Sequence, residues 1–318
     1  MSREKSINKK HNVDVCILLA TYNGEKFLKT QLDSLIEQTY ENIDIYVRDD
    51  CSTDNTVEFI KNYIESNKSG KRIILLENNG VNLRPPKSFY QIARECEPAE
   101  YYAFCDQDDV WYPDKIKWAV EELEKKKDTN KPLVYFSAYD YYMSDGSFIR
   151  HSPEQKENIG LTDVLYCTPA SGFLLVFNHE ACKQFILDVD PGIEMHDRWL
   201  IRCCVCFGDT IYDKRFTASH IRHTEAVTAE DSNTIGLLKG FFQKEVFGPA
   251  SVEAKQNLIY FAKVFEDRLS NEQKKKMALF IKKNGLITQI RKIFYPHALR
   301  SRVPGDIALR ILFVLGRA

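Results

Sequence analysis

Residues 13–24 read VDVCILLATYNG, eight mostly apolar residues that run directly into the polar turn 21–24. A short apolar run bounded by turn residues is typical of a buried strand. In the following segment, residues 25–38, apolar side chains recur at helical spacing, including Leu28, Leu32 and Leu35. This strand–turn–helix unit predicts that the chain begins with a parallel α/β sheet.

The same alternation continues to about residue 140. Further strands are predicted at 43–48, 72–76, 101–105 and 133–139, and helices at 53–65, 87–96 and 113–127. Strands that alternate with helices of this length predict βαβ units and a mostly parallel sheet with helices on both faces.

The pattern loosens in the second half of the chain. Strands are predicted at 170–177, 210–212 and 217–220, with helices at 179–187 and 196–207. From residue 235 onward the periodicity is helical, at 235–247, 251–268, 271–283 and 285–294. We therefore divide the chain into a polar tail (1–12), an α/β domain (13–230, with halves 13–112 and 113–230) and a helical, basic extension (231–318).

Composition excludes several classes of protein. The 318 residues contain 44 Lys and Arg against 45 Asp and Glu, so the net charge of −1 argues against a nucleic-acid binder. The sequence contains no run of 18 apolar residues, so no membrane-spanning helix is predicted. Nine irregularly spaced cysteines without a secretory signal predict a reduced, cytoplasmic compartment.

Polar clusters follow three of the predicted strands. They are residues 21–24, residues 49–54 and residues 106–109. Ligands of open parallel sheets bind at the carboxyl ends of strands, so we expect these clusters to meet at one edge. The dinucleotide fingerprint G-x-G-x-x-G and the phosphate loop G-x-x-x-x-G-K-[ST] are both absent, which argues against dehydrogenases and P-loop NTPases.

The segment Asp106-Gln107-Asp108-Asp109 places three carboxylates within four residues. The repulsion among these carboxylates would be relieved by a hard divalent cation that prefers oxygen ligands, such as Mg²⁺ or Mn²⁺. Such a cation suits a diphosphate leaving group. The open alternative is a solvated acidic turn that caps the next helix.

Other polar residues have both a functional and a structural interpretation. Asp49-Asp50 either accepts a hydrogen bond from a nucleobase or ribose, or caps the following helix. Asp197 lies near the start of a predicted helix and is either a general base or a helix cap. For His220 the structural interpretation is favoured, whereas His223 is left open between a structural role and a metal or diphosphate contact.

Taken together, these motifs resemble glycosyltransferase family 2, in particular its bacterial rhamnosyltransferase-like branch of capsule and O-antigen synthesis. The resemblance rests on Ala20-Thr21-Tyr22-Asn23-Gly24, Gln38-Thr39-Tyr40, Asp49-Asp50-Cys51-Ser52-Thr53-Asp54, Asp106-Gln107-Asp108-Asp109-Val110-Trp111 with Pro113 and Lys115, and His196-Asp197 with Trp199-Leu200. It covers residues 13–223.

The resemblance implies a GT-A fold with a nucleotide-sugar-binding, Rossmann-like sheet, a divalent metal, and sugar transfer with inversion. The implied donor-binding residues are Thr21, Tyr22, Asn23, Glu25, Asp50, Asp106 and Gln107. The implied metal site is formed by Asp108, Asp106 and His223. Asp197 takes the position of the catalytic base, and the acceptor side is formed by His196, Arg198 and Trp199.

Two residues depart from the family's pattern. Cys51 stands where the family usually has glycine, which makes a positive φ less accessible there. Arg198 replaces a common aromatic residue on the acceptor side.

The basic extension agrees with an acceptor at a membrane. From residue 274 it carries eleven Lys and Arg against Asp306 alone. Each basic residue close to anionic lipid contributes roughly 1 kcal/mol to binding. We therefore expect peripheral contact with the inner face of a bacterial membrane, where lipid-linked acceptors lie.

Several alternatives stay open at this stage. The donor is dTDP-L-rhamnose or a UDP-linked galactose, glucose or N-acetylhexosamine. A nucleotidyltransferase is disfavoured because the turn 21–25 holds a single glycine. A non-catalytic scaffold subunit of a polysaccharide assembly complex is the remaining alternative.

Overall fold

The computed structural model describes residues 13–187, 194–222, 250–282, 285–300 and 303–317. Its strands are β1 (Val15–Thr21), β2 (Ile43–Asp49), β3 (Arg72–Leu75), β4 (Tyr101–Cys105), β5 (Asp109–Trp111), β6 (Leu133–Met143), β7 (Phe148–His151), β8 (Val176–Asn178) and β9 (Asp209–Arg222). Its helices are α1 (Glu25–Ile36), α2 (Thr56–Ser66), α3 (Lys87–Glu95), α4 (Lys115–Glu124), α5 (His179–Phe185), α6 (His196–Phe207), α7 (Ala250–Val264), α8 (Asn271–Ile281), α9 (Leu286–Ile293) and α10 (Val303–Val314).

The described strands form one sheet in the order β3-β2-β1-β4-β8-β6-β9-β5, with β7 paired to β6. In the first half, β1 is parallel to both β2 and β4, and β2 is parallel to β3. Ile17, Leu19 and Val47 of these strands are fully buried. The predicted α/β fold with a parallel-rich sheet and helices after it is confirmed.

The second half of the sheet is mixed rather than parallel. β8 is antiparallel to β4 and β6, and β5 is antiparallel to β9. The single strand predicted at 170–177 is wrong, because a 3₁₀ turn (Gly172–Leu174) precedes the short β8. The turn brings the backbone of Gly172 against the ring of His196, where a Cβ atom would lie 2.4 Å from Nε2.

The two short strands predicted at 210–212 and 217–220 are one continuous strand, β9. Its register with β6 shifts between Ser137 and Ala138, opposite the polar residues 213–215. Asp213 accepts a 2.9 Å hydrogen bond from the Arg215 amide, which is a local turn within the strand. This polar irregularity interrupted the apolar alternation on which the prediction depended.

The helices after the sheet pack against it. Phe261 of α7 contacts Trp199 of α6, with ring centroids 5.2 Å apart, and Phe265 contacts Phe207 at 4.9 Å. The helix predicted at 235–247 and the domain boundary at 230 both lie outside the described residues. None of the described helices is long and apolar enough to span a bilayer.

Two loops at the carboxyl ends of strands adopt left-handed backbone conformations. Asn23 has a φ of 48° and Cys51 a φ of 65°. Asparagine tolerates this region, whereas a cysteine there carries a cost of roughly 1–2 kcal/mol. The Cys51 Sγ accepts a hydrogen bond of 3.3 Å from the Asn78 side chain. The chain therefore adopts the expected glycine-like backbone at Cys51 without a glycine.

The positive φ of Cys51 determines how substitutions at this position should affect the stability of the protein. Replacing Cys51 by Gly should change the free energy of unfolding by less than about 1 kcal/mol, because relief of the left-handed strain is offset by greater unfolded-state entropy. Replacing it by Val should destabilise the protein by about 2 kcal/mol or more, because a β-branched side chain is disfavoured at positive φ. Urea unfolding measures both changes. Cys51→Ala is the matched control for loss of the thiol contact, and equal effects of Gly and Val would contradict the prediction.

Candidate functional site

The carboxyl ends of β1, β2 and β4 lie side by side, because these strands are parallel neighbours. The loops that follow them are the three polar clusters singled out from the sequence. Their convergence at one edge of the sheet is therefore as predicted.

The buried side chain of Asp49 connects the loop after β1 with the loop after β2. It accepts hydrogen bonds from the Thr21 hydroxyl at 3.0 Å and from the Ser52 amide at 2.8 Å. Thr21 is also buried. The side chains of Thr21 and Asp49 therefore hold the loops together and offer little surface to a ligand.

Asn23 and Glu25 join the same loops at the surface. The Asn23 side-chain oxygen accepts from the Thr53 amide, and the Asn23 amide donates to the Ser52 hydroxyl, both at 2.8 Å. Glu25 accepts a 3.0 Å hydrogen bond from the Asn55 side chain. Both residues remain exposed, as does Tyr22, so this rim is open to a ligand.

Gln107 joins the third loop to the first. Its side-chain oxygen accepts from the Tyr22 amide at 2.9 Å, and its side-chain nitrogen donates to the Tyr22 carbonyl at 3.1 Å. A Cβ atom on Gly24 would lie 2.3 Å from the Gln107 oxygen. A side chain at position 24 would therefore displace the Gln107 amide from the Tyr22 backbone.

Asp50 is buried beneath a fourth segment of chain. Its carboxylate accepts hydrogen bonds from the Leu83 amide at 3.1 Å, from the Arg84 amide and from the Arg48 guanidinium. Both carboxylate oxygens are therefore engaged with the protein. The sequence indicated a carboxylate at this place but not the loop 81–84 that covers it.

A cluster of carboxylates follows β4. Burial, together with the charges of Asp109, Asp108 and Asp197, raises the pKa of Asp106 to about 8. Burial also raises the pKa of Asp109. The charge of Asp197, which is distant in sequence, is thus near enough to act on Asp106.

Two basic side chains lie near this cluster. The His220 Nδ1 lies 2.6 Å from an Asp109 carboxylate oxygen, and this contact raises the pKa of His220. Lys115 is fully buried, 4.9 Å from the centre of the Trp111 ring, and burial lowers its pKa to about 7. The structural interpretation of His220 thus understated its role, and its pairing with Asp109 is a contact that sequence reasoning missed. The signal was the alternation of β9, which continues through Ser219 and His220.

The remaining carboxylates suit a hard divalent cation. Within the described part of the chain, no group of three or more His, Cys, Asp or Glu side chains forms a complete metal site. Mg²⁺ is commonly held by one or two carboxylates, with substrate phosphates and water completing its shell. Asp106 and Asp108 fit that arrangement, because their oxygen donors are suitable and a cation would relieve the repulsion around Asp106. His223 lies outside the described residues.

Asp197 stands in the first turn of α6. Its carboxylate accepts a 2.7 Å hydrogen bond from the Arg198 amide, and burial raises its pKa. Arg198 is partly exposed beside it. The charge of Asp197 acts on Asp106 of the acidic turn.

The acceptor-side prediction for His196 and Trp199 is not supported by their positions. His196 is buried and stacks on Phe89, with ring centroids 4.0 Å apart, and burial lowers its pKa to about 3. Trp199 is buried against Phe261 and Phe265. Helical spacing explains the difference, because Asp197 and Arg198 lie on the partly exposed face of α6, whereas His196 and Trp199 are buried.

Burial of neutral His196 predicts a pH-dependent stability. The unfolded chain takes up a proton near pH 6.5, whereas the folded ring does not until about pH 3. Stability should therefore fall as the pH falls from 6.5, by up to about 1.4 kcal/mol per pH unit. Urea unfolding between about pH 7 and pH 5 measures this slope. In His196→Leu the slope should be shallower by that amount, and equal slopes in the two proteins would contradict the prediction.

Solved structures of low sequence identity share the fold of this chain. S. aureus TarS 1-349 in complex with UDP-GlcNAc is 15% identical, with a TM-score of 0.54 over 96% of this chain and 92% of that one. The mannosyltransferase PcManGT of Pyrobaculum calidifontis, in complex with GDP-Man and Mn²⁺, is 13% identical with a TM-score of 0.50, over 96% and 86% of the two chains. These similarities show a GT-A type fold.

The family follows from the sequence comparison. The family described as glycosyl transferase family 2 matches residues 16–181. The chain therefore belongs to glycosyltransferase family 2.

Two curated relatives are similar to part of this chain. The dTDP-rhamnosyl transferase RfbG of Shigella flexneri is 40% identical over 33% of this chain and 36% of its own length. The UDP-Glc:alpha-D-GlcNAc-diphosphoundecaprenol beta-1,3-glucosyltransferase WfaP of Escherichia coli is 30% identical over 55% of this chain and 60% of its own length. The chain thus spans less than two thirds of either relative.

Proposed function

We propose that this glycosyltransferase moves a sugar from a nucleoside-diphosphate donor to a lipid-linked surface polysaccharide precursor, with inversion and with Asp197 as the general base. The supporting observation is the position of Asp197. Its charge is close enough to raise the pKa of Asp106, at the edge where the strand ends converge. A base beside the leaving-group site is the arrangement that a single displacement requires.

Asp197 has the properties of a general base. Burial raises its pKa, so its carboxylate holds a proton more strongly than an exposed aspartate would. The Arg198 amide holds one oxygen, which leaves the other to accept the proton of an acceptor hydroxyl. Direct displacement needs no covalent nucleophile.

The opposite side of the reaction centre would stabilise the leaving group. Asp106 and Asp108 would hold Mg²⁺ or Mn²⁺, which when bound supplies positive charge to the departing diphosphate. The residues that we assign to the donor are Thr21, Tyr22, Asn23, Glu25, Asp50, Asp106 and Gln107. Of these, Tyr22, Asn23 and Glu25 offer exposed surface, and Thr21 and Asp50 support the loops from within.

The identity of the donor is proposed from the relatives. The dTDP-rhamnosyl transferase supports dTDP-L-rhamnose as the first donor to test. The glucosyltransferase from Escherichia coli uses a UDP-sugar and a diphosphoundecaprenol-linked acceptor, which keeps UDP-sugars as the alternative and supports a lipid-linked acceptor.

Release of nucleoside diphosphate tests the proposal. The protein with Mn²⁺ and a panel of nucleotide sugars should release diphosphate from one donor, and EDTA should abolish this release. Asp197→Asn should lower kcat roughly 10²–10⁴-fold in acceptor-dependent transfer, because the base is lost. Asp108→Asn should weaken metal-dependent donor binding.

The matched control is Asp145→Asn, which removes an exposed carboxylate from the β6–β7 turn. It should retain wild-type turnover. Release that is insensitive to both EDTA and Asp197→Asn would refute the mechanism. Absence of both donor binding and release would favour the scaffold alternative.

We also propose that the protein contacts the inner face of the membrane through its last helices. α9 exposes Leu286, Ile287 and Ile290, and α10 exposes Val303, Ile307, Ile311 and Val314. Phe294, directly after α9, is 77% exposed. Exposed basic residues, including Lys282, Arg291 and Arg317, accompany these apolar faces, which is a combination suited to anionic lipid.

Two residues of the basic segment do not take part in this surface. Lys292 is buried, 5.5 Å from the centre of the Phe313 ring. Arg310 pairs with Asp306 at 2.8 Å and donates to the carbonyls of Ile293 and Tyr295. These two cations therefore stabilise the α9–α10 pair rather than bind lipid.

Vesicle sedimentation tests this contact. The protein should bind phosphatidylcholine vesicles that contain phosphatidylglycerol more tightly than phosphatidylcholine alone. Phe294→Ser combined with Leu286→Ser should weaken binding about tenfold or more, because two exposed apolar side chains are lost. Phe148→Ser, which removes a half-exposed phenylalanine from β7, is the matched control. Unchanged binding in the double variant would refute the contact.

A further inference from the structure

A row of side chains crosses four strands of the sheet from the acidic turn. The register pairs Asp109 of β5 with His220 of β9, His220 with Tyr141 of β6, and Tyr141 with Arg150 of β7. Residues paired across a sheet point to the same face. Arg150 therefore faces the same side as the Asp109–His220 pair, three strand spacings away.

Two guanidinium groups lie against the ring of Tyr141. That of Arg150 is 4.0 Å from the centre of its ring, and that of Arg222 is 5.1 Å away. The Tyr139 hydroxyl is hydrogen-bonded to the Tyr141 hydroxyl, and Tyr139 packs edge-on against Phe173 at 5.3 Å. The ring is therefore held in place, and it presents both cations in a defined position.

The two cations lack an acidic partner in the described part of the chain. Neither Arg150 nor Arg222 forms an ion pair with any carboxylate that the structure describes. Arg150 has one weak contact, a 3.5 Å hydrogen bond to the His151 carbonyl. Two guanidiniums on one ring repel each other, so this arrangement favours an anion that binds both.

The two arginines lie at different distances from the acidic turn, because Arg222 is two residues from His220, which contacts Asp109, whereas Arg150 is farther away. The donor loops lie at β1, β2 and β4, whereas Arg150 and Arg222 lie at β7 and β9, beyond β8 and β6 in the sheet. Three strand spacings place the Arg150 backbone roughly 14 Å from that of Asp109. A sugar unit can therefore stand between the reaction centre and an anion held by Arg150.

We propose that Arg150 and Arg222 form a clamp for a phosphate group of the acceptor. The inference rests on the proposed function and adds the chemical class of the acceptor, a phosphate-bearing glycan. Planar guanidinium groups suit this ligand, because they bind phosphate oxygens in pairs. The phosphate is either the diphosphate that links a glycan to its lipid or a phosphodiester within the glycan.

A binding experiment tests the clamp without sugar transfer. Geranyl diphosphate is titrated calorimetrically into the protein in Mg²⁺ and saturating UDP, so that the donor's diphosphate position is occupied. Arg150→Ala and Arg222→Ala should each weaken binding about tenfold or more, which is the loss of a charge-assisted hydrogen bond. Arg150→Lys should fall between wild type and Arg150→Ala, because the charge remains but the paired donors are lost.

Arg94→Ala is the matched control, since it removes an exposed arginine from α3 at the other end of the sheet. Its affinity for geranyl diphosphate should equal that of wild type. Thermal unfolding midpoints show whether each variant is folded. Equal affinity for geraniol and geranyl diphosphate, or unchanged affinity in both alanine variants, would overturn the clamp.

Kinetics distinguish the two sources of phosphate and the two proposals. For a diphosphate-linked acceptor, the alanine variants should raise KM to the value measured for the same glycan as a neutral alkyl glycoside. If only a phosphodiester-containing glycan shows this increase, the clamp binds the glycan's own phosphate. If the wild-type protein binds geranyl diphosphate but turns over no donor, the proposed function is refuted and the clamp is not. Normal turnover with unchanged affinity in both variants would refute the clamp alone.

Discussion

Asp109 and His220 face each other across the β5–β9 pair, with 2.6 Å between the imidazole nitrogen and a carboxylate oxygen. This contact ties the acidic turn after β4 to the far half of the sheet. It also places a basic side chain beside the cluster of Asp106, Asp108 and Asp109. Even with this contact, burial and the neighbouring carboxylates raise the pKa of Asp106 to about 8.

The loops around this cluster are held by side chains rather than by regular structure. Asn23 and Gln107 each bond to backbone groups of a neighbouring loop, and Asp49 accepts from the Thr21 hydroxyl of the first loop. Such bonds position the exposed edges of Tyr22 and Glu25 without covering them. A rim that is fixed from below and open above is suited to binding a charged ligand with little reorganisation.

Much of the first half of the molecule was predictable from sequence. Parallel strands buried on both faces appear as continuous apolar runs, and the polar residues after them mark the ligand-binding edge. The second half was harder. The break at residues 213–215 hid the continuity of β9, and the strand pairing of Asp109 with His220 joins residues that are far apart in sequence. His196 and Trp199 were misplaced because a motif next to Asp197 does not show which face of α6 is buried.

The sequence by itself determined the alternation of elements, the family and the identity of the polar residues at the strand ends. These properties depend on local periodicity and on short motifs, which each segment carries on its own. Tertiary structure alone decided which charges meet. Lys115 lies beneath the acidic turn, Asp197 lies beside it, and Arg150 and Arg222 converge on Tyr141. The physical reason is that such contacts depend on strand register and helix rotation. Both are set by the packing of distant segments into one core.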